Sequence, residues 1–271
     1  MIKEGWNDSL SDREYHEDNE WITASKIKLA AEDLALYKHY HLEGNQRPRS
    51  AAMEVGSLIH HMLANQHLAF AVWRGGKTRR GKAYDEFAAS YPEGHLIVTT
   101  EVFDQACAAI DKLKKDRLFE PLKGQMQIVE KVFAWKEEHW RCKFKPDLFL
   151  PNAKLVVDYK TVSQFSEHKI KRQFAELKYH LQAAHYLVGA YEASEGSRSL
   201  ADFDVWFLFI ETQAPYRTAC INLDQDDMDR SLEMRMKILE RLRVAMATKE
   251  YRNQFNKNLQ TISLPEYAYH V

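Results

Sequence analysis

Three cysteines in a chain of 271 residues, Cys107, Cys142 and Cys220, are too few and too scattered for a disulfide framework, and without a CxxC pair they do not make a zinc ribbon. They also cannot supply the four thiolates of an iron–sulfur cluster. No apolar run approaches the roughly 20 residues that span a bilayer. The charged opening stretch MIKEGWNDSLSDREYHEDNE lacks the apolar segment of a signal peptide, so the expectation is a cytoplasmic protein with no membrane contact. Glycine and proline are not in excess, which removes fibrous and disordered classes. Charge of one sign is lacking as well: the net charge of -1 announces no nucleic-acid binder. Phosphate attraction is local, however, and decays over roughly 8 to 10 Å at ordinary salt. Between Trp73 and Tyr84 stand Arg74, Lys77, Arg79, Arg80 and Lys82 with no acidic residue among them, a strong cationic patch.

What is present is an ordinary globular composition, 45% hydrophobic and 28% charged, long enough to bury a substantial core in one domain spanning 1–271. Residues 1–22 read as a loosely held polar arm. Thr23 or Ser25 caps a helix to about His41 with Ile27, Ala30, Ala31, Leu34 and Tyr37 on its apolar face, and a loop follows from Glu43 to Arg49. Val55, Leu58, Ile59, Met62 and Leu63 predict a second helix from Gly56 to about His67. RGGKTRRGK reads as a loop or short hairpin leading into a helix from Ala83, and Thr99 or Thr100 caps another through Leu113. The part from 23 to 120 is therefore expected to be helical.

From Gln125 the runs QIVEKVFAW, HWRCKFKPDLFL and KLVVDYK predict three neighbouring antiparallel strands. A helix from about Phe174 to Tyr191, strands DVWFLFIET and YRTACINL, and a long helix from about Asp226 to Lys249 complete the catalytic part, 125–249; a tail occupies 250–271. The order describes an α/β domain with a central mixed sheet flanked by helices.

Residues two apart on a strand share a face, so Asp158 and Lys160 project together, and the turn PNAK brings Asp147 back beside Asp158. Two close carboxylates repel unless a positive charge stands between them, and a hard cation with oxygen ligands, Mg²⁺ or Mn²⁺, is the usual remedy. Such an ion polarises a phosphoryl oxygen while a neighbouring ammonium orients water or stabilises the transition state, which is the machinery of phosphodiester hydrolysis. A DxK strand on its own is more often a solvated face. Glu130, at the start of a strand, reads either as a solvated charge or as a further acidic contact through water. Trp73 reads either as core or as a wedge against a base. The cationic run, with Lys169, Lys171 and Arg172 just beyond the DxK strand, reads either as a solvated face or as phosphate contacts.

GSLIH (from Gly56), EKVFAW (from Glu130), CKFKPDLF (from Cys142), VVDYKT (from Val156) and YHLQAAHY (from Tyr179) stand in the order seen in PD-(D/E)xK nucleases of the RecB and RecE type. Over roughly Ser25 to Glu211 the chain resembles most the RecE-like, exodeoxyribonuclease VIII branch. Asp158, where lambda exonuclease has glutamate, favours that branch. The resemblance implies a restriction-endonuclease-like core in which Asp147, Asp158, His60 and the carbonyl of Tyr159 bind metal, two ions at the site, with Lys160 as catalytic lysine. His61 is the weaker candidate. Gln182 and Tyr186 match the family's QxxxY motif, which implies contacts to the DNA backbone or the active-site loop; the residues themselves equally suit a half-buried aromatic with a capping amide, offset from a stripe of Leu177, Leu181, Ala184 and Val188.

The same resemblance implies digestion of linear double-stranded DNA from its ends, 5′ to 3′, leaving a 3′ single strand for a single-strand annealing recombinase of a phage or prophage pair, and a ring-shaped homo-oligomer. The competing expectations are a structure-specific or single-strand DNA endonuclease and a weakly active DNA-binding assembly module.

Overall fold

β-branched and aromatic residues dominate LVVDYKTV and make it a strand, whose alternation points Leu155, Val157 and Tyr159 to one face and Val156 to the other. It is the middle strand of the main sheet in this computed structural model, which describes residues 2–8, 10, 12–45, 51–66, 69–92, 95–194 and 199–253. Part of the expected loop from Glu43 to Arg49, His67 at the expected helix end, and the tail beyond Asn253 lie outside the described residues. In chain order the elements are β1 (Gly5–Asn7), α1 (Asp12–Glu17), α2 (Ala24–Glu32), α3 (Leu34–Tyr37), α4 (Ala51–Leu63), β2 (Phe70–Trp73), α5 (Lys82–Ala89), β3 (Leu96–Thr99) and α6 (Thr100–Lys115). Then follow β4 (Ile128–Val129), β5 (Val132–Glu137), β6 (Trp140–Phe144), β7 (Leu148–Leu150), β8 (Leu155–Val162), α7 (Glu167–Glu176), α8 (Tyr179–Glu192), β9 (Asp204–Glu211), β10 (Thr218–Ile221) and α9 (Gln225–Thr248).

The main sheet has the order β10-β9-β8-β7-β4, with β8 and β9 parallel and the other neighbours antiparallel. One face, with Phe149, Val156, Phe207 and Phe209, packs under α2, α8 and α9; the other, with Leu148, Leu150, Val157, Leu208 and Ile210, packs against α4 and α6. This is the expected α/β class, a mixed sheet between helical layers. Helix α8 is buried around its circumference, Leu181, Ala184, Gln182 and His185 alike, so it has no single stripe; Leu177 lies outside it and is exposed.

Several expectations needed revision. The first two β-prone runs each break in two: β5 and β6 leave to form a separate sheet of order β1-β5-β6, and only β4 and β7 join the main sheet. The breaks fall at Glu130, whose φ of 52° takes the chain out of extended conformation, and at Pro146, which has no N–H for a ladder. The helical first half contains a parallel pair, β2 with β3, each strand of 4 residues too short to show alternation against its helical surroundings. The expected helix to about His41 is interrupted at Asp33, which caps α3 through Ala35 and Leu36, and helical turns then run on to Leu42. The helix expected from Phe174 is two, α7 and α8, parted at Lys178 where φ is 53°.

The polar arm is also held. β1 pairs with β5, and Trp6 lies 5.1 Å from Phe133. Two lysines that the core buries, Lys26 and Lys143, find their acceptors in this segment: Lys26 Nζ donates to the carbonyls of Asp18 and Trp21 at 2.6 and 2.9 Å, and Lys143 Nζ to that of Tyr15 at 2.7 Å. Buried ammoniums require partners, so the arm is tied to the body. No helix among the described residues is long and apolar enough to cross a membrane.

Candidate active site

β7 and β8 pair with Leu148 against Val157, so the next rung sets Asp147 opposite Asp158. Asp147 Oδ2 accepts the backbone N–H of Tyr159 at 2.6 Å, which fixes its carboxylate at the mouth of the hairpin. His60 comes from the opposite helical layer: its Nδ1 lies 2.8 Å from Asp147 Oδ1. Gly56, one turn earlier on α4, makes that approach possible, because a Cβ there would stand 2.8 Å from Thr161 Oγ1 on β8. Glu130 enters through its left-handed backbone, with its N–H directed to the Asp147 carbonyl at 3.4 Å and its carboxylate paired with Lys145. Ligand atoms of His60, Glu130 and Asp147 all lie within 4.8 Å of one another.

Asp158 faces the other way. Its Oδ2 accepts from Gln182 Nε2 at 2.8 Å, and its Oδ1 is in ion-pair contact with Lys160 without hydrogen-bond geometry and has no other partner among the described residues. Lys160 Nζ also reaches Gln182 Oε1 at 3.3 Å and lies 4.7 Å from the centre of the Tyr179 ring, a cation–π contact that holds the ammonium without neutralising it. The same Gln182 oxygen accepts from Lys28 Nζ of α2 at 3.1 Å.

Burial and the charges together spread the titration of these groups. Burial would lower His60, but the Asp147 carboxylate overrides it and lifts the imidazole to about 9. Asp147 is the converse: burial would raise it, and His60 holds it below the usual carboxylate range. Asp158 is raised by burial, with repulsion from Asp147 adding to it against Lys160. Burial, helped by Asp147, pushes Glu130 up to about 7. A nitrogen of His60 and carboxylate oxygens of Glu130 and Asp147, all in reach of one point, make a donor set that suits a hard divalent cation. The residues present therefore fit one.

Gln182 and Tyr186 point into the protein. Both are buried, and they spend their polar atoms inside the site, Gln182 on Asp158 and Tyr186 by donating to the carbonyl of Lys145 at 3.3 Å, because buried polar groups must find partners. Trp73 is core: it is 8% exposed, its indole donates to the Thr78 carbonyl at 3.1 Å, and Gly75 leaves room for its ring. In the basic loop Arg79 is a structural tie, paired with Glu54 at 2.9 Å and donating to the Ile97 carbonyl at 2.9 Å. Arg74, Lys77, Arg80 and Lys82 are exposed, as are Lys169 and Arg172 on α7. His61 bonds Gln66 at 2.8 Å, away from the cluster. Sequence reasoning gave no role to Lys28, Tyr179, Lys145 or His185, although all but Lys28 stand inside the motifs CKFKPDLF and YHLQAAHY.

Comparisons with known proteins bear on this geometry. A solved structure of an exonuclease candidate from Eubacterium rectale aligns with a TM-score of 0.64 at 14% identity, over 95% of this chain and 97% of that one, and so shares its fold. A phage-related exonuclease from Haemophilus somnus 129PT aligns over 86% of this chain and 97% of its own at 13% identity, with a TM-score of only 0.37. No curated protein matches significantly. The family model described as "PDDEXK-like domain of unknown function (DUF3799)" matches residues 24–255, which takes in every group of the cluster. The chain thus carries a PD-(D/E)xK nuclease-type domain and belongs to this PDDEXK-like family.

Proposed function

We propose that this protein is a metal-dependent exodeoxyribonuclease of the RecE-like type that hydrolyses linear double-stranded DNA from its ends. The observation that carries the reading is the meeting of His60, Glu130 and Asp147 around one point beside the Asp158–Lys160–Gln182 group. His60, Glu130 and Asp147 would hold a divalent ion, Mg²⁺ or Mn²⁺, with Asp158 and the carbonyl of Tyr159 serving a second. When bound, such ions polarise the phosphoryl oxygen and offset charge as it develops there. The chain's own part is positioning. Asp158 and Gln182 aim the Lys160 ammonium, where it orients the attacking water and stabilises the charge growing on the phosphate. Lys28, sharing the Gln182 oxygen, adds a second ammonium on the same side.

The family likeness of the motifs supports 5′ to 3′ digestion that leaves a 3′ single strand, a ring of identical subunits around the duplex, and delivery of that strand to an annealing recombinase. An end-labelled linear duplex, carrying its label at either 5′ or 3′ ends, tests the core of this reading with Mg²⁺ present. The expected result is early release of the 5′ label and survival of covalently closed circles. Rapid cutting of closed circles would make the protein an endonuclease; binding without degradation would make it an assembly module.

Arg74, Lys77, Arg80, Lys82, Lys169 and Arg172 are proposed phosphate contacts, outside the chemistry. Neutralising Lys77 and Arg80 together is expected to raise KM for DNA with kcat nearly unchanged, and to reduce the log–log salt slope by roughly 0.9 for each phosphate that no longer meets a cationic side chain. An unaltered salt slope would return the loop to a solvated surface.

A further inference from the structure

Helix α8 grips the catalytic strands at three points, of which two belong to the QxxxY pair already described. The third is His185, which is fully buried and lies 3.0 Å from the carbonyl of Lys143 through Nε2. Lys143 and Lys145, whose carbonyl takes the Tyr186 hydroxyl, lie in the segment that leads through Pro146 into Asp147. Beyond a bridge to Ile22, side chains of α8 supply what a neighbouring strand would have supplied to this edge.

The tautomer of His185 is dictated by its other neighbour. Arg235 Nε of α9 points to His185 Nδ1 at 3.3 Å, and a guanidinium has donors only. Nδ1 therefore accepts, the ring proton sits on Nε2, and that N–H donates to the Lys143 carbonyl. Burial, reinforced by the Arg235 charge, holds the imidazole down to about 3, so it is neutral. Arg235 is itself 2% exposed and forks onto Glu137 of β5 at 2.6 and 3.0 Å, and Trp135 adds a bond to Glu137 at 2.8 Å. A chain of polar groups, Glu137 to Arg235 to His185, thus crosses the core and ends on the backbone four residues before Asp147. Burying such an ion pair is costly, and apolar side chains of the same volume commonly pack as well or better. Its end point supplies a reason for keeping it.

We propose that His185, oriented by Arg235 and Glu137, is a positioning residue that sets the place of Asp147 and Glu130 relative to Asp158, and with it the spacing of the metal-ligand set. This rests on the nuclease reading above. His185→Leu removes both ring nitrogens, whereas His185→Gln keeps a donor for the Lys143 carbonyl and an acceptor for Arg235. Mn²⁺ affinity by titration calorimetry, kcat and KM on a linear duplex, and melting temperature are measured on each. For His185→Leu, Mn²⁺ affinity and kcat are each expected to fall by about 10- to 100-fold with KM for DNA little changed; His185→Gln should recover most of both. Wild-type Mn²⁺ affinity and kcat in a folded His185→Leu protein would overturn the proposal, as would a glutamine variant no better than leucine. Should the leucine variant fail to fold, His185→Phe decides, since it keeps a ring against Trp135 while removing both nitrogens: weakened Mn²⁺ binding supports the proposal and unchanged binding overturns it. Failure of the wild-type protein to degrade any DNA would sink the nuclease reading, while the Mn²⁺ titrations would still decide the positioning role.

Discussion

Lys160→Ala is expected to lower the single-turnover rate of linear duplex degradation by about 10²- to 10³-fold, the range seen when a preorganised donor to a developing anion is removed. The loss should fall on the chemical step, because the ammonium lies against Tyr179 and between Asp158 and Gln182, inside the site, and not on the exposed basic loop. The fold should survive it. Asp158 would lose its cation but keep the Gln182 amide, and a carboxyl already raised by burial and by Asp147 can take up a proton in place of a counter-charge. Circular dichroism and melting check the fold, and rapid-quench assays at saturating Mg²⁺ and DNA check the rate. Near wild-type turnover in a folded Lys160→Ala protein would remove the lysine from the mechanism.

Gly56→Ala should be nearly as damaging to activity, although the residue touches no substrate. In a helix, alanine is favoured over glycine by about 1 kcal/mol, so propensity alone predicts a more stable protein. The Cβ would meet Thr161 Oγ1 at 2.8 Å, however, and a β-branched side chain has little rotamer freedom with which to yield. Helix α4 must then lift from β8, carrying His60 from its 2.8 Å contact with Asp147. A displacement approaching 1 Å at a ligand can cost on the order of 10²-fold in rate, and overpacking of this kind costs about 1–3 kcal/mol in stability. Thr161→Ala supplies the control, because without the hydroxyl the nearest remaining atom, the Thr161 Cβ, is at an ordinary 4.0 Å. The double variant should recover both activity and melting temperature, a coupling that a double-mutant cycle measures. A fully active Gly56→Ala single variant would show that α4 is free to give way.

How far the site could be read in advance depended on where each residue's partners lie along the chain. Asp147, Asp158 and Lys160 are readable because a two-residue period and one hairpin determine them locally, whereas His60 came only with the resemblance carried by GSLIH and its companion motifs. Lys28 could not be found this way: it meets Gln182 across 154 positions, and a lysine on a half-exposed helix face is otherwise ordinary in pattern. His185 was hidden for a related reason, since its role depends on Arg235 50 positions on and Lys143 42 positions back. In the fold, β9, β10 and α9 have long or regular signals. The division of the strands after Gln125 between two sheets does not, because a single positive-φ residue and a single proline redirect the chain without changing the β-prone composition on either side.

Glu130 sets backbone stability against the ligand role proposed for it. Its left-handed backbone, with φ at 52°, is a conformation glycine adopts freely and other residues hold at a cost of about 1–2 kcal/mol. Under pressure for thermal robustness alone, random drift would be drawn toward glycine or asparagine at this position, and either would discard the carboxylate that stands within reach of His60 and Asp147. On the proposed metal role, glutamate there exchanges backbone stability for a ligand, so a library screened only for heat resistance is expected to lose metal binding at this position.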